Sequence, residues 1–154
     1  LVGDDLRHLL DLRDLGDEQT AISGTAARLA ARRSSPEQQA RIAHHIDMLR
    51  QASSRLARHR ADARFHIEVA AAAQSLRLTN AEMRLQSEVG ELLWMEAAGG
   101  GDVTIVEHEH QAILQALVAG DAVLAGALAE AHVSRGIKRL ISLRLELLAE
   151  ADED

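Results

Sequence analysis

The sequence predicts an all-α fold, an antiparallel bundle of about six or seven helices. Three observations carry this. Ala, Leu, Arg and Glu dominate a chain that is 47% hydrophobic and 27% charged, and these are strong helix formers. Aromatic residues make up only 1%, with no Tyr and one Phe, and no stretch sustains the alternation of a half-buried strand. Apolar residues recur instead at helical spacing, between breaks that carry capping residues. A chain of 154 residues can bury one sizeable core, and nothing in it suggests a second compact unit.

Leu6, Leu9, Leu10 and Leu12 begin an apolar stripe that Gly16 interrupts. Ile22, Ala26, Leu29 and Ala30 resume it before the break at Arg32, Arg33 and Ser34, so one short and one medium helix are expected. Ser35, Pro36 and Gln38 start a third helix: a capping hydroxyl, a proline where no N–H is needed, and a side chain able to reach back. It runs to about Ser54, and a fourth helix covers about Leu56 to Leu78. Thr79 with Glu82 repeats the capping pattern ahead of a fifth helix bearing Met83, Leu85, Val89, Leu92 and Leu93, which ends at Gly99, Gly100 and Gly101. Asp102 caps a sixth, Gly120 ends it, and Asp121 caps a long seventh that reaches almost to the acidic tail Glu150 to Asp154.

The formal net charge of -7 argues against a nucleic-acid partner for this segment itself, because such binding rests on Lys and Arg neutralising phosphates. With no cysteine, disulfides and thiolate metal ligands are excluded, and any metal must be held by His and carboxylates. No apolar stretch approaches the roughly 20 residues that span a bilayer. The start at Leu1 carries no Met and no signal pattern. A cytoplasmic fragment lacking its native N-terminal part, with no membrane contact, is expected.

Asp62 and His66 stand four apart on an expected helix, about 40° apart around its axis, so a carboxylate and an imidazole share one face. A solvated helix-stabilising pair has the same spacing. His108 and His110 are separated by about 200° and cannot both point inward. Val106, His110, Ile113 and Leu117 form one stripe, which selects His110 as the inward residue, either a ligand or a hydrogen-bonded core histidine. His132 follows Ala125, Leu128 and Ala129, small side chains that leave room beside an imidazole. It can equally be a boundary histidine near Arg135 and Arg139. Together, three imidazoles and one carboxylate suit a divalent transition ion with positions left for an exchangeable anion, inside a cavity of the bundle.

Other motifs fail on their spacing. Glu107-x-x-His110 is half of a di-iron bundle pattern, but the chain has no second E-x-x-H. His108-Glu109 would begin H-E-x-x-H, but Ala112 stands where the second histidine belongs. Neither G-x-S-x-G nor a phosphate-cradling glycine loop is present.

Asp62-x-x-Phe65-His66, Asn80 before a new helix, Glu109-His110-x-x-Ile113-Leu114-x-Ala116-Leu117, Gly120-Asp121, and Ala125 followed by His132 together resemble the FadR-like C-terminal effector domain (FCD) of the GntR family of transcription regulators. The resemblance covers most of the chain and implies a single effector-binding and dimerisation domain over residues 1–154. It implies that Asp62, His66, His110 and His132 bind a metal, zinc foremost and nickel as the alternative, which helps hold a small carboxylate effector. It implies a homodimer, and DNA binding only through an N-terminal winged helix-turn-helix domain absent from this chain. The arginine that meets the effector best matches Arg13; the broken stretch Gly16 to Gly24 keeps Arg28 open.

A regulatory binding module is therefore the expected function, not an enzyme. A purely structural helical dimerisation module and a small metalloenzyme are the alternatives; the second needs a general base, and Glu68 is offset from the Asp62 and His66 face. His8, His44, His45 and His59 are expected at the surface, and Trp94 and Phe65 as core anchors, with Phe65 able to border the cavity.

Overall fold

The computed structural model describes residues 2–90 and 102–153. Among them stand six α-helices, one π-helical turn and no strand: α1 (Val2–Arg33), α2 (Pro36–Gln51), α3 (Arg55–Ala72), α4 (Leu76–Leu85) running into the π-helical turn Gln86–Gly90, α5 (Val103–Ala119) and α6 (Ala122–Glu153). The fold is an all-α helical bundle.

The two helices expected before Arg33 are one. Gly16 does not break α1, because α6 packs closely against it: a Cβ there would lie 2.8 Å from Ile137 Cγ2. Further along, Gly24 faces Glu130 and Gly126 faces Arg28, so the two longest helices run in opposite directions with side chains of one filling gaps at glycines of the other. These close approaches differ in how they yield. A Cβ at Gly16 would meet the β-branched Ile137 at Cγ2, Cγ1 and Cβ together, whereas one at Gly24 would meet the flexible Glu130 side chain. Gly16→Ala is therefore expected to lower unfolding free energy by roughly 1 kcal/mol, overpacking outweighing the gain in helix propensity. Gly24→Ala should stay within about 0.5 kcal/mol of the parent. Urea denaturation of both variants checks the contrast; an equally tolerated Gly16→Ala sinks it.

Local chemistry sets most of the other boundaries. Ser35 accepts from Gln38 N while the Gln38 side chain accepts from Ser35 N, the reciprocal cap expected ahead of Pro36. Asp102 accepts from Thr104 N, Gly120 ends α5 in the left-handed region at φ 71°, and Asp121 accepts from Leu124 N at the start of α6. The joint between α3 and α4 falls earlier than expected. Gln74 takes φ 56°, unusual for a side-chain-bearing residue. It is held there by its amide donating to Arg33 O, while Arg33 Nη1 donates to Ala73 O. Ser75 then caps α4 by accepting from Leu78 N. Thr79 and Asn80 consequently lie inside α4, where the Thr79 hydroxyl donates to Ser75 O. Glu82 is no cap: it is buried and accepts from Ser23 Oγ and Gln86 Nε2. Leu92, Leu93, Trp94 and the three glycines after them lie outside the described residues.

The core joins Ile42 and Ile46 of α2, Phe65 and Val69 of α3, and Ile113 and Leu117 of α5 to the alanines Ala26, Ala30, Ala125 and Ala129 of α1 and α6. Alanine on both long helices lets their backbones approach closely. Besides the Ser23, Glu82 and Gln86 group, a second buried polar cluster lies where α3, α5 and α6 meet.

Candidate metal centre

Asp62 and His66 come from α3, His110 from α5 and His132 from α6, and their exposures are 4, 7, 0 and 9%. One ligating atom from each lies within 4.8 Å of every other. His66 Nε2 is 3.6 Å and His110 Nε2 3.2 Å from the same Asp62 Oδ1. The four residues singled out in the sequence are thus brought together, and the helical stripe chose correctly between the paired histidines, since His108 is exposed. Phe65 both anchors the core and orients the site: its ring stacks on His110 at a centroid distance of 3.7 Å and an angle of 8°.

His110 decides what this cluster suits. Its ring is wholly buried, and neither Nδ1 nor Nε2 makes a hydrogen bond, the approach of Nε2 to Asp62 being out of line. A buried imidazole normally finds a partner, because an unmet polar atom costs about 1–3 kcal/mol. A divalent ion drawing a lone pair from each imidazole and an oxygen from Asp62 meets that need, and nitrogen and carboxylate donors are the set zinc and nickel accept.

The charges agree. Burial pushes His110 down to about 3, the pull of Asp62 failing to offset it, so the ring is held neutral as a ligand must be. For Asp62 burial acts upward, but the close approach of the His110 and His66 imidazoles prevails and holds it well below the usual carboxylate range. Burial lowers His66 too; there the Asp62 carboxylate and the Glu82 charge win and raise it.

Glu109 is the residue the sequence reading missed. His132 Nδ1 donates to its Oε1 at 2.9 Å, and Arg135 Nε is ion-paired to its other oxygen. This contact orients the His132 ring and leaves its Nε2 for the cluster. Burial raises Glu109, but His132 and Arg135 outweigh it and keep the carboxylate ionised. Glu68, the carboxylate weighed as a general base, belongs elsewhere: it pairs with Arg64 at 2.8 Å and lies near Arg41 and His45.

Asp62, His66 and His132 also line a pocket of about 170 Å³. Gln19 of α1 and Arg135 and Arg139 of α6 line it too, with the apolar Val106 and Val133. Arg13 is exposed and is not among the lining residues. Arg28 is engaged by Glu130 at 2.6 Å and is also absent from the lining. The pocket's arginines follow His132 at three and seven residues along α6, a same-face spacing readable in the sequence.

Residues 15–135 match the FCD domain family. The chain is also 37% identical over 146 residues to a Mycobacterium gastri protein named as the HTH-type transcriptional regulator RmpR. That match takes in 89% of this chain and 51% of the relative, so the chain spans about half the length of the curated protein it matches. With a family match over most of its length, an all-helical bundle and the buried Asp and His cluster of its resemblance, the chain belongs to the FCD domain family of GntR/FadR-like type.

Proposed function

We propose that this chain is the ligand-sensing domain of a bacterial transcription regulator, binding one divalent transition ion, zinc foremost, through Asp62, His66, His110 and His132. A small carboxylate effector would enter the adjoining pocket, beside the Asp62, His66 and His132 side chains that would help hold the ion. The chain's own residues divide the work. Asp62 supplies the anionic oxygen, Glu109 fixes the tautomer of His132, and Phe65 holds the plane of His110. When bound, the ion supplies a positive centre that attracts the effector's carboxylate. Because the site joins α3, α5 and α6, ligand binding biases how these helices pack, and so the spacing of two N-terminal DNA-binding domains in a cytoplasmic homodimer. The single observation that carries the reading is the wholly buried His110, neither of whose ring nitrogens makes a hydrogen bond although Nε2 lies 3.2 Å from Asp62 Oδ1, among three other ligand-type side chains.

A binding module is favoured over an enzyme. Among the described residues, the carboxylates beside the cluster are committed, Asp62 to the histidines and Glu109 to His132 and Arg135. Asp102, which also lines the pocket, accepts from Thr104 N as the cap of α5, so none of the described carboxylates lining the pocket is held free as a general base. A purely structural module would leave His110 unsatisfied. The relative's printed role in transcription supports the regulator, and no helix of the described residues is long and apolar enough to cross a membrane.

Equilibrium dialysis against zinc tests the site. One ion per chain is expected, and Glu109→Gln should weaken retention by about 10–100-fold while leaving all four ligands in place. A chain that retains no zinc above background overturns the reading.

A further inference from the structure

Two polar side chains in the pocket are not explained by metal binding. Gln19 is 3% exposed, lines the pocket and makes no hydrogen bond among the described residues. Arg139 lines the same pocket; its Nε is shielded from solvent without a partner, and none of its nitrogens forms an ion pair among the described residues. Arg135 differs, being committed to Glu109. A pocket lined by an amide that makes no hydrogen bond among the described residues and by a guanidinium edge shielded without a partner is shaped for a ligand bringing acceptors to both.

Resting on the metal-and-carboxylate reading above, we infer that Arg139, assisted by Gln19, reads a second acidic group of the effector, making the pocket selective for short dianionic ligands over monocarboxylates. One carboxylate belongs at the end lined by Asp62, His66 and His132. The other meets Arg139, whose planar fork matches a carboxylate through two parallel hydrogen bonds. Val106 and Val133 give the pocket apolar wall suited to the methylenes between the two acids. Size narrows the class: the pocket holds about 170 Å³. A cavity of about 150 Å³ takes a benzene-sized guest, so a ligand of roughly six to nine non-hydrogen atoms fits, the size of a four- or five-carbon dicarboxylate. Arg13, exposed and off the pocket, cannot serve this end without leaving its place on α1.

Isothermal titration of the zinc-loaded chain with succinate and glutarate, against butyrate and pentanoate, tests this. At least one dicarboxylate should bind about tenfold or more tighter than its monocarboxylate. Arg139→Gln should reduce that preference to within about twofold while zinc content, which rests on other residues, is unchanged. Arg139→Lys keeps the charge without the fork and should lose part of the preference, so it decides the matter where the Gln variant fails to fold. Arg13→Gln should leave the preference intact. A full preference retained by both Arg139 variants overturns the inference, as does a zinc-loaded parent that binds both classes equally or neither. A parent that retains no zinc removes the metal reading itself, and the inference with it.

Discussion

His110→Leu is expected to abolish stoichiometric zinc retention and, in the presence of chelator, to leave the domain about 1 kcal/mol more stable than the parent. The two halves of this result separate a ligand from a core histidine. In the metal-free chain the imidazole buries two nitrogens without hydrogen bonds, a burden of about 1–3 kcal/mol that leucine removes while filling similar space. Leucine gives up the stacking on Phe65, worth about 0.5–1.5 kcal/mol, so the net gain is modest. Were His110 a satisfied core residue, the same change would cost stability and leave zinc content alone. Denaturant midpoints with chelator, together with elemental analysis after zinc dialysis, give both readings on one preparation.

Metal removal and acidification should produce the other large effect. At a free zinc concentration a thousandfold above its Kd, the ion stabilises the folded chain by about 4 kcal/mol. For a domain of 154 residues that corresponds to a rise of roughly 8–16 °C in Tm over the chelated protein. The chelated protein should lose stability as pH falls below the ordinary histidine value of 6.5, by roughly 1 kcal/mol per pH unit from His110. The sign follows from the direction of the shift. The folded ring is pushed down to about 3, so the unfolded chain takes up the proton first and acid favours unfolding. His66 does not offset this: its value is raised, so its contribution is complete below 6.5 and is lost only as pH rises through the raised value. Asp62, held well below its usual 3.8, contributes until pH falls past that usual value, which leaves the window between about 6.5 and 4 to the neutral histidines. His45, lowered chiefly by burial and then by Arg64, adds in the same direction. Comparing parent with His110→Leu isolates the larger part. A chelated parent whose Tm is flat from 6.5 to 4 would falsify the neutral buried His110.

The Asp62 and His66 pairing was legible in the sequence because a four-residue step on a helix is fixed by backbone geometry. The choice of His110 over His108 was legible for the same reason, since the apolar stripe of α5 records which face is buried. Capping chemistry is local too, and it placed Pro36, Asp102, Gly120 and Asp121 correctly. The failures occurred where a distant helix overrode a local signal. Gly16 reads as a break until Ile137 is set against it, and Thr79 reads as a cap until Gln74 is pinned by Arg33.

By itself, then, the sequence determined an all-α bundle, the shared face of Asp62 and His66 and the inward face of His110, because composition, periodicity and capping act within a few turns of one helix; the set of four that includes His132 came from the family resemblance. Only the tertiary structure decided that His132 meets Glu109, that neither ring nitrogen of His110 makes a hydrogen bond, and that Arg139 and Gln19 face the pocket while Arg13 does not. The first joins α5 to α6, and the pocket joins α1 to α6, whose packing is set at Gly16, Gly24 and Gly126. No one-helix pattern encodes that alignment, because each glycine acquires its meaning from the side chain that packs against it.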